Sequence, residues 1–281
     1  EIIRRIKPDI VVGTGGYAGY PMVCAAQKCG VKTAILEPNA TPGFVTKRTS
    51  AKADCVMICF PQTRDYIGKA KKIVVTGIPV RQEIMECTAR EYSPLFENKL
   101  PTVASFWGSV GAKYMNDKIT EIMAMGYKKR DFNHLHGAGK NHYARMSEEL
   151  SKLCDYKTAD NLELKDYIFD MDRVMAKADL IISRGGASTI AEICAAGKPS
   201  IIVPSPYVTE NHQEKNARVL EKAGAAIVLT EEEATAEKLY ETALALLCDK
   251  KKLAKMGANA RAMSSPLALE KIYDAIMETA R

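Results

Sequence analysis

The chain has 281 residues, enough for two domains with cores of their own, and at 47% hydrophobic and 26% charged it is neither disordered nor fibrous. Its net charge of +6, from 40 basic against 34 acidic residues, suits an anionic ligand or an anionic membrane surface, but no basic-aromatic block points to nucleic acid. The eight cysteines include no C-x-x-C pair and several sit in apolar runs, so they read as small core residues of a reducing cytosol and not as a zinc or disulfide framework.

No apolar run approaches the ~20 residues that span a bilayer, so any membrane contact is expected to be peripheral. Residues 1–8 look like the end of a helix entering a strand, and the sequence is expected to be a piece of a longer chain. A strand at 9–12 is followed by Gly13-Thr14-Gly15-Gly16-Tyr17-Ala18-Gly19-Tyr20-Pro21, a glycine-rich turn into a helix at 22–28. Residues 32–36 form the next strand, ending in Glu37-Pro38-Asn39-Ala40-Thr41-Pro42-Gly43, and a helix at 44–53 and strands at 55–59 and 73–76 complete this half. Strands alternating with helices predict a parallel sheet, whose ligands sit beyond the carboxyl ends of its strands.

Gly77-Ile78-Pro79-Val80-Arg81 reads as a domain junction, where Arg81 is either a surface charge or a clamp for phosphate or carboxylate. The same grammar then restarts. A strand at 102–106 turns through Trp107-Gly108-Ser109-Val110-Gly111-Ala112 into a helix reaching about 125. A strand at 132–136 leads through Gly137-Ala138-Gly139-Lys140 to another helix, residues 162–168 are extended, and a helix covers 171–177. Further on come a strand at 200–203, a helix at 214–223, a strand at 225–229, helices near 232–248 and 250–262, and a last helix at 266–280.

The pattern centres on Ser183-Arg184-Gly185-Gly186-Ala187-Ser188-Thr189-Ile190-Ala191-Glu192. The buried run 178–182 precedes it and a helix ending at Gly197 follows, so free N–H groups of a helix start face a glycine turn, which is a site for phosphate. The same residues also read as a capping box, Thr189 capping the helix and Glu192 reaching back to it. Both readings stand at this level.

Three other constellations carry less. Asp170 and Asp172 have a metal-binding D-x-D spacing, but acidic residues are favoured at any helix start. His134, His136 and His142 lack a carboxylate or cysteine to complete a zinc tetrad. Ser109 lacks the G-x-S-x-G spacing of a nucleophile elbow. No metal and no cofactor are expected.

Taken in order, Gly13 to Pro21, Glu37-Pro38-Asn39 with Pro42-Gly43, Gly77 to Arg81, and Gly108 to Ala112 form a set with Tyr167-Ile168-Phe169-Asp170-Met171, Ser183 to Glu192, and His212-Gln213-Glu214-Lys215-Asn216-Ala217. The set resembles the MurG family of bacterial peptidoglycan glycosyltransferases, GT-B enzymes of glycosyltransferase family 28, over nearly the whole chain. The resemblance implies an α/β GT-B fold, two Rossmann-like domains with parallel sheets facing across a cleft, the N-terminal one incomplete. Residues 1–80 would be the rear half of an acceptor- and membrane-side domain, with 264–281 crossing back onto it, and 81–263 would bind UDP-GlcNAc.

It implies inverting, metal-independent transfer of GlcNAc from UDP-GlcNAc to the 4-hydroxyl of MurNAc in undecaprenyl-pyrophosphoryl-MurNAc-pentapeptide (lipid I), at the cytoplasmic membrane face. On this chain Ile168 would bond uracil through its backbone, Ala187, Ser188, Thr189 and Ser109 would meet the diphosphate, and Glu192 would accept the ribose hydroxyls. Gln213 and Asn216 would hold the GlcNAc hydroxyls, Arg81 and Asn39 would lie at the cleft, and Gly15, Gly16 and Tyr17 would serve acceptor binding.

Trp107 and Val110 stand where that family usually has Gly and Gln, and His212 where Gln is frequent. The family's first glycine-rich loop, with its candidate base, is expected upstream of Glu1, about three strand–helix units or about 90 residues away. The piece in hand would then bind UDP without transferring. The alternatives are a lipid glucosyltransferase or a UDP-GlcNAc 2-epimerase of the same fold, or a non-catalytic UDP-sugar-binding module.

Overall fold

The structure is a computed structural model that describes residues 1–108 and 111–281. In chain order the first elements are α1 (Ile2–Ile6), β1 (Ile10–Gly13), α2 (Gly19–Lys28), β2 (Lys32–Glu37), α3 (Phe44–Thr49), β3 (Cys55–Ile58), β4 (Ile73–Val75) and α4 (Gln82–Met85). Next come β5 (Thr102–Phe106), α5 (Lys113–Lys129), β6 (Asn133–Gly137), α6 (Tyr143–Leu153), β7 (Leu162–Lys165), α7 (Met171–Lys177), β8 (Leu180–Ser183) and α8 (Ala187–Ala196). The chain closes with β9 (Ser200–Ile202), α9 (His212–Lys222), β10 (Ala226–Val228), α10 (Ala236–Cys248), α11 (Lys250–Ala262) and α12 (Ala268–Ala280).

These elements divide into two compact units, the first made of 1–80, 207–216 and 265–281, the second of 81–206 and 217–264. The boundary falls inside α9. The segment 207–216, placed by sequence with 81–263, packs instead with the first unit, because Asn216 and Glu210 bond to its residues Asn39, Ala40 and Lys47.

The first unit is a four-stranded parallel sheet in the order β1-β2-β3-β4. Its strands alternate cleanly between two apolar layers. Ile35, Val56 and Ile58 pack with Val23 of α2 on one face, whereas Ala34, Cys55 and Met57 pack with Ala275, Ile272 and Ile276 of α12 on the other. The last helix is thus needed to cover a sheet face that no crossover covers.

The second unit is a six-stranded parallel sheet in the order β10-β9-β8-β5-β6-β7. Every residue of β5, β6 and β8 is buried, so β8 reads as an apolar run without alternation, whereas β6 buries the polar side chains of Asn133, His134 and His136. From β5 the chain steps outward to β6 and β7, then returns to the other side of β5 for β8, β9 and β10. Connections leaving β5 and β8 therefore diverge, and the crevice beyond their carboxyl ends is where an open α/β sheet takes its ligand.

Candidate functional site

At that crevice the second unit has a pocket. Phe106 and Gly108 line it after β5, Gly137 and Gly139 after β6, and Asp166, Tyr167 and Ile168 after β7. Thr189 and Glu192 of α8 close it together with Arg81 and Met171. Gly137 allows the tight fit on the β7 side, since a Cβ there would come within 3.0 Å of Ile168 Cδ1. Neither the N–H nor the C=O of Ile168 is used in a backbone hydrogen bond among the described residues. Tyr167 and the exposed Phe169 flank it as an edge-to-face pair, ring centroids 4.8 Å apart.

Helix α8 begins earlier than its sequence suggests. Gly186 is already the N-cap, in extended conformation at φ −68° and ψ 137°, and makes no side-chain cap bond. Ile190 donates to Gly186 O at 2.9 Å, so the N–H groups of Ala187, Ser188 and Thr189 form the unsatisfied first turn. The capping box is therefore not what the structure builds. Thr189 lies inside the first turn, and Glu192 points to Arg81, whose Nη2 it accepts at 3.1 Å. The unsatisfied first turn of α8 and the Arg81–Glu192 ion pair thus stand on one side of the pocket, where a helix start favours an anion.

Arg184 takes no part there. It is spent on Val203 O at 3.1 Å and on Glu231, both partners largely buried, and its guanidinium lies over the Trp107 ring. Ser109, expected at the phosphates, lies outside the described residues. Asp170 pairs with Lys165 and Arg173, while Asp172 accepts from Tyr92 Oη at 2.7 Å. The Tyr92 hydroxyl holds the Asp172 carboxyl below the usual carboxylate range. The two aspartates thus have separate partners.

Below the pocket lies a relay that motif reading did not find. Ser105 Oγ is 2.7 Å from His134 Nε2 and 2.7 Å from His136 Nδ1, His136 Nε2 is 3.1 Å from Asn116 Oδ1, and Asn116 Nδ2 donates to Ala138 O at 2.9 Å. His136 Nδ1 also lies 3.0 Å from the backbone O of Ser105, so that nitrogen faces a hydroxyl and a carbonyl at once. His134 Nδ1 is buried without a hydrogen-bond partner. Burial pushes the His134 pKa down to about 3 and that of His136 well below its ordinary value. A polar residue on the apolar face of an amphipathic helix, Asn116 in α5, is the one sequence signal of this network.

The first unit carries a second pocket, formed by 14–17, by 37–46, and by Thr209, Glu210 and His212. Gly15 and Gly16, at φ +91° and +74°, have open space where a Cβ would stand, so their backbone is presented bare. Tyr17 is exposed, its ring 6.0 Å from that of Phe44. Buried Glu37 organises the next loop, Oε1 accepting from Asn39 N at 3.0 Å and Asn39 Nδ2 at 3.1 Å, Oε2 from Gly43 N at 2.9 Å and Thr46 Oγ1 at 2.6 Å. Asn39 Oδ1 accepts from Asn216 Nδ2 at 3.0 Å, and Asn216 Oδ1 accepts from Ala40 N at 2.8 Å. Asn216 is fully buried and holds this loop, and Gln213 stands half-buried in the first turn of α9.

Glu37→Gln is expected to lower stability by about 2 kcal/mol, because an amide N–H₂ would face the Gly43 and Thr46 donors that a carboxylate satisfies. A thermal midpoint unchanged from wild type would count against this role for Glu37.

Comparison with known proteins bears on both units. The glycosyltransferase family 28 C-terminal domain model matches residues 102–276 and the family 28 N-terminal domain model residues 1–58. A UDP-N-acetylglucosamine--N-acetylmuramyl-(pentapeptide) pyrophosphoryl-undecaprenol N-acetylglucosamine transferase of Listeria welshimeri is 39% identical over 279 residues, 99% of this chain and 76% of the relative. The crystal structure of Acinetobacter baumannii MurG superposes with a TM-score of 0.78 at 28% identity, covering 99% of this chain and 76% of that one. A UDP-GlcNAc 2-epimerase from Neisseria meningitidis, solved with UDP-GlcNAc, superposes at 0.68 with 15% identity over 99% and 78%, a likeness of fold alone.

Proposed function

Because the chain belongs to glycosyltransferase family 28 and to its MurG group, we propose that it transfers GlcNAc from UDP-GlcNAc to the 4-hydroxyl of MurNAc in lipid I, giving lipid II for peptidoglycan. The observation that carries the proposal is the anion seat at the start of α8, placed at the switch point of a Rossmann-like sheet within a GT-B enzyme. In the reaction the acceptor hydroxyl attacks the anomeric carbon, the bond from that carbon to the β-phosphate oxygen breaks, and UDP leaves with the electron pair. The hydroxyl proton passes to a base that no residue of this chain is assigned to be.

Negative charge grows on the leaving diphosphate as that bond breaks. The N–H groups of Ala187, Ser188 and Thr189 meet it as fixed dipoles that need no reorganisation, and the Arg81 guanidinium, held by Glu192, stands beside them. This arrangement is metal-independent. Glu192, with one oxygen on Arg81, keeps a second for the ribose hydroxyls, and the backbone of Ile168 reads uracil while Tyr167 flanks it. Gln213 faces the sugar. In the first unit Gly15, Gly16 and Tyr17 serve the acceptor, and Asn39 with Asn216 holds the neighbouring loop.

The acceptor's undecaprenyl chain stays in the bilayer, so the protein works peripherally at the cytoplasmic face. No helix among the described residues is long and apolar enough to cross a membrane, and the net charge of +6 favours an anionic surface. The test is UDP-[14C]GlcNAc with and without lipid I. Radiolabelled lipid II formed only with the lipid acceptor supports the reading, whereas free sugar and UDP released without it make the chain an epimerase. UDP binding with no transfer under any condition leaves the binding-module reading in its place.

A further inference from the structure

Trp107 is the chain's single tryptophan. It is only 6% exposed, and its Nε1–H is buried with no hydrogen-bond partner. Burying an indole N–H unpaired is unfavourable, so this residue is held for its ring and not for a hydrogen bond. The ring has two neighbours of a different kind from the aliphatic core around it. His136, part of the relay under the pocket, lies 6.1 Å away between ring centroids, and the Arg184 guanidinium lies 5.8 Å from the ring centroid.

The position of these residues in the chain gives the contact its meaning. Trp107 immediately precedes Gly108, in the turn that leaves β5, and Arg184 immediately precedes Gly185-Gly186, in the turn that leaves β8. Those strands are paired neighbours in the sheet, Phe106 lying opposite Ser183, so the two turns start side by side. We propose that Trp107 is a positioning residue of the diphosphate seat, a wedge whose stack with Arg184 fixes the turn after β8, and with it the start of α8, relative to the turn after β5. Arg184 is the other half of the device. Its side chain is fastened at Val203 O and Glu231, so the wedge bears on a fixed group, and a guanidinium three residues before the first N–H of the seat is kept off the diphosphate.

This inference rests on the second-unit pocket being the UDP site. The test is calorimetric titration of UDP into the wild-type chain, Trp107→Phe, Trp107→Gly, Arg184→Met and the double variant Trp107→Gly/Arg184→Met. A phenyl ring keeps the stack, so Trp107→Phe is expected within about threefold of wild type, while Trp107→Gly is expected to bind about tenfold more weakly. The double variant is expected within about twofold of Trp107→Gly, because both changes remove one contact.

Wild-type affinity in Trp107→Gly, or losses that multiply in the double variant, would overturn the wedge while leaving the nucleotide site standing. Absence of UDP binding by the wild-type chain overturns the nucleotide site and the wedge with it. Should Trp107→Gly fail to fold, Trp107→Leu takes its place in the cycle, filling the core without a ring face for Arg184.

Discussion

Acidification from pH 7 to pH 5 is expected to cost the folded second unit about 4 kcal/mol through two histidines alone. His134 and His136 are fully buried, and burial pushes the His134 pKa down to about 3 and that of His136 well below its ordinary value. Unfolding releases both to an ordinary histidine pKa of about 6.5. Below that pH the unfolded chain binds protons that the folded chain refuses, so stability is complete above about 6.5 and falls as pH drops toward the folded values. The slope is about 1.4 kcal/mol per pH unit for each histidine.

Thermal midpoints across this range for wild type, His134→Gln and His136→Gln check the point. Each variant has fewer relay bonds and a lower midpoint at pH 7, yet each is expected to lose about half of the histidine-borne pH slope. Variants that keep the full wild-type steepness would assign the acid sensitivity to other groups.

Gly111→Ala is expected to destabilise by about 3 kcal/mol and to abolish measurable UDP binding, whereas Gly108→Ala costs about 1 kcal/mol. The two glycines bracket one turn and share a left-handed backbone, φ +79° at Gly111 and +80° at Gly108. They differ in what surrounds them. A Cβ at Gly111 would come within 2.2 Å of Ala138 O and 2.9 Å of His142 Cδ2, while a Cβ at Gly108 would meet nothing within 4 Å. Ala138 O is the atom that Asn116 holds, at the end of the His134–Ser105–His136 relay. Displacing it disturbs Gly137 and Gly139, both of which line the pocket. Chemical denaturation of the two variants side by side separates strain, which both pay, from collision, which Gly111 alone suffers. Equal losses would mean that the close approach is relieved by a shift of the turn.

Much of this was legible in the sequence because parallel sheets announce themselves locally. The apolar strand runs, the glycine turns after 106 and 183, and the helix stop at Gly197 are properties of short segments. What failed to show was decided at long range. Thr189-x-x-Glu192 has the spacing of a capping box, but Gly186 starts the helix earlier and Arg81, 111 positions away, takes the carboxylate. The bonds of Asn216 to Asn39 and Ala40 join positions 177 and 176 apart, which no local pattern shows. Glu37 is a local exception: its four bonds shape the loop it starts, and three of their donors lie in that loop. The Ser105–His134–His136 relay is spread over two strands, so only their pairing in register brings it together.

The central claim is that the start of α8 and Glu192 hold UDP. Calorimetric titration of UDP into the wild-type chain and into Glu192→Ala tests it most directly, with the thermal midpoint of each measured alongside. Because the structure gives Glu192 no capping role, its loss is expected to weaken UDP about tenfold or more while the midpoint barely moves. A lowered midpoint with UDP affinity unchanged in the folded protein would contradict the account and return Glu192 to a purely structural part.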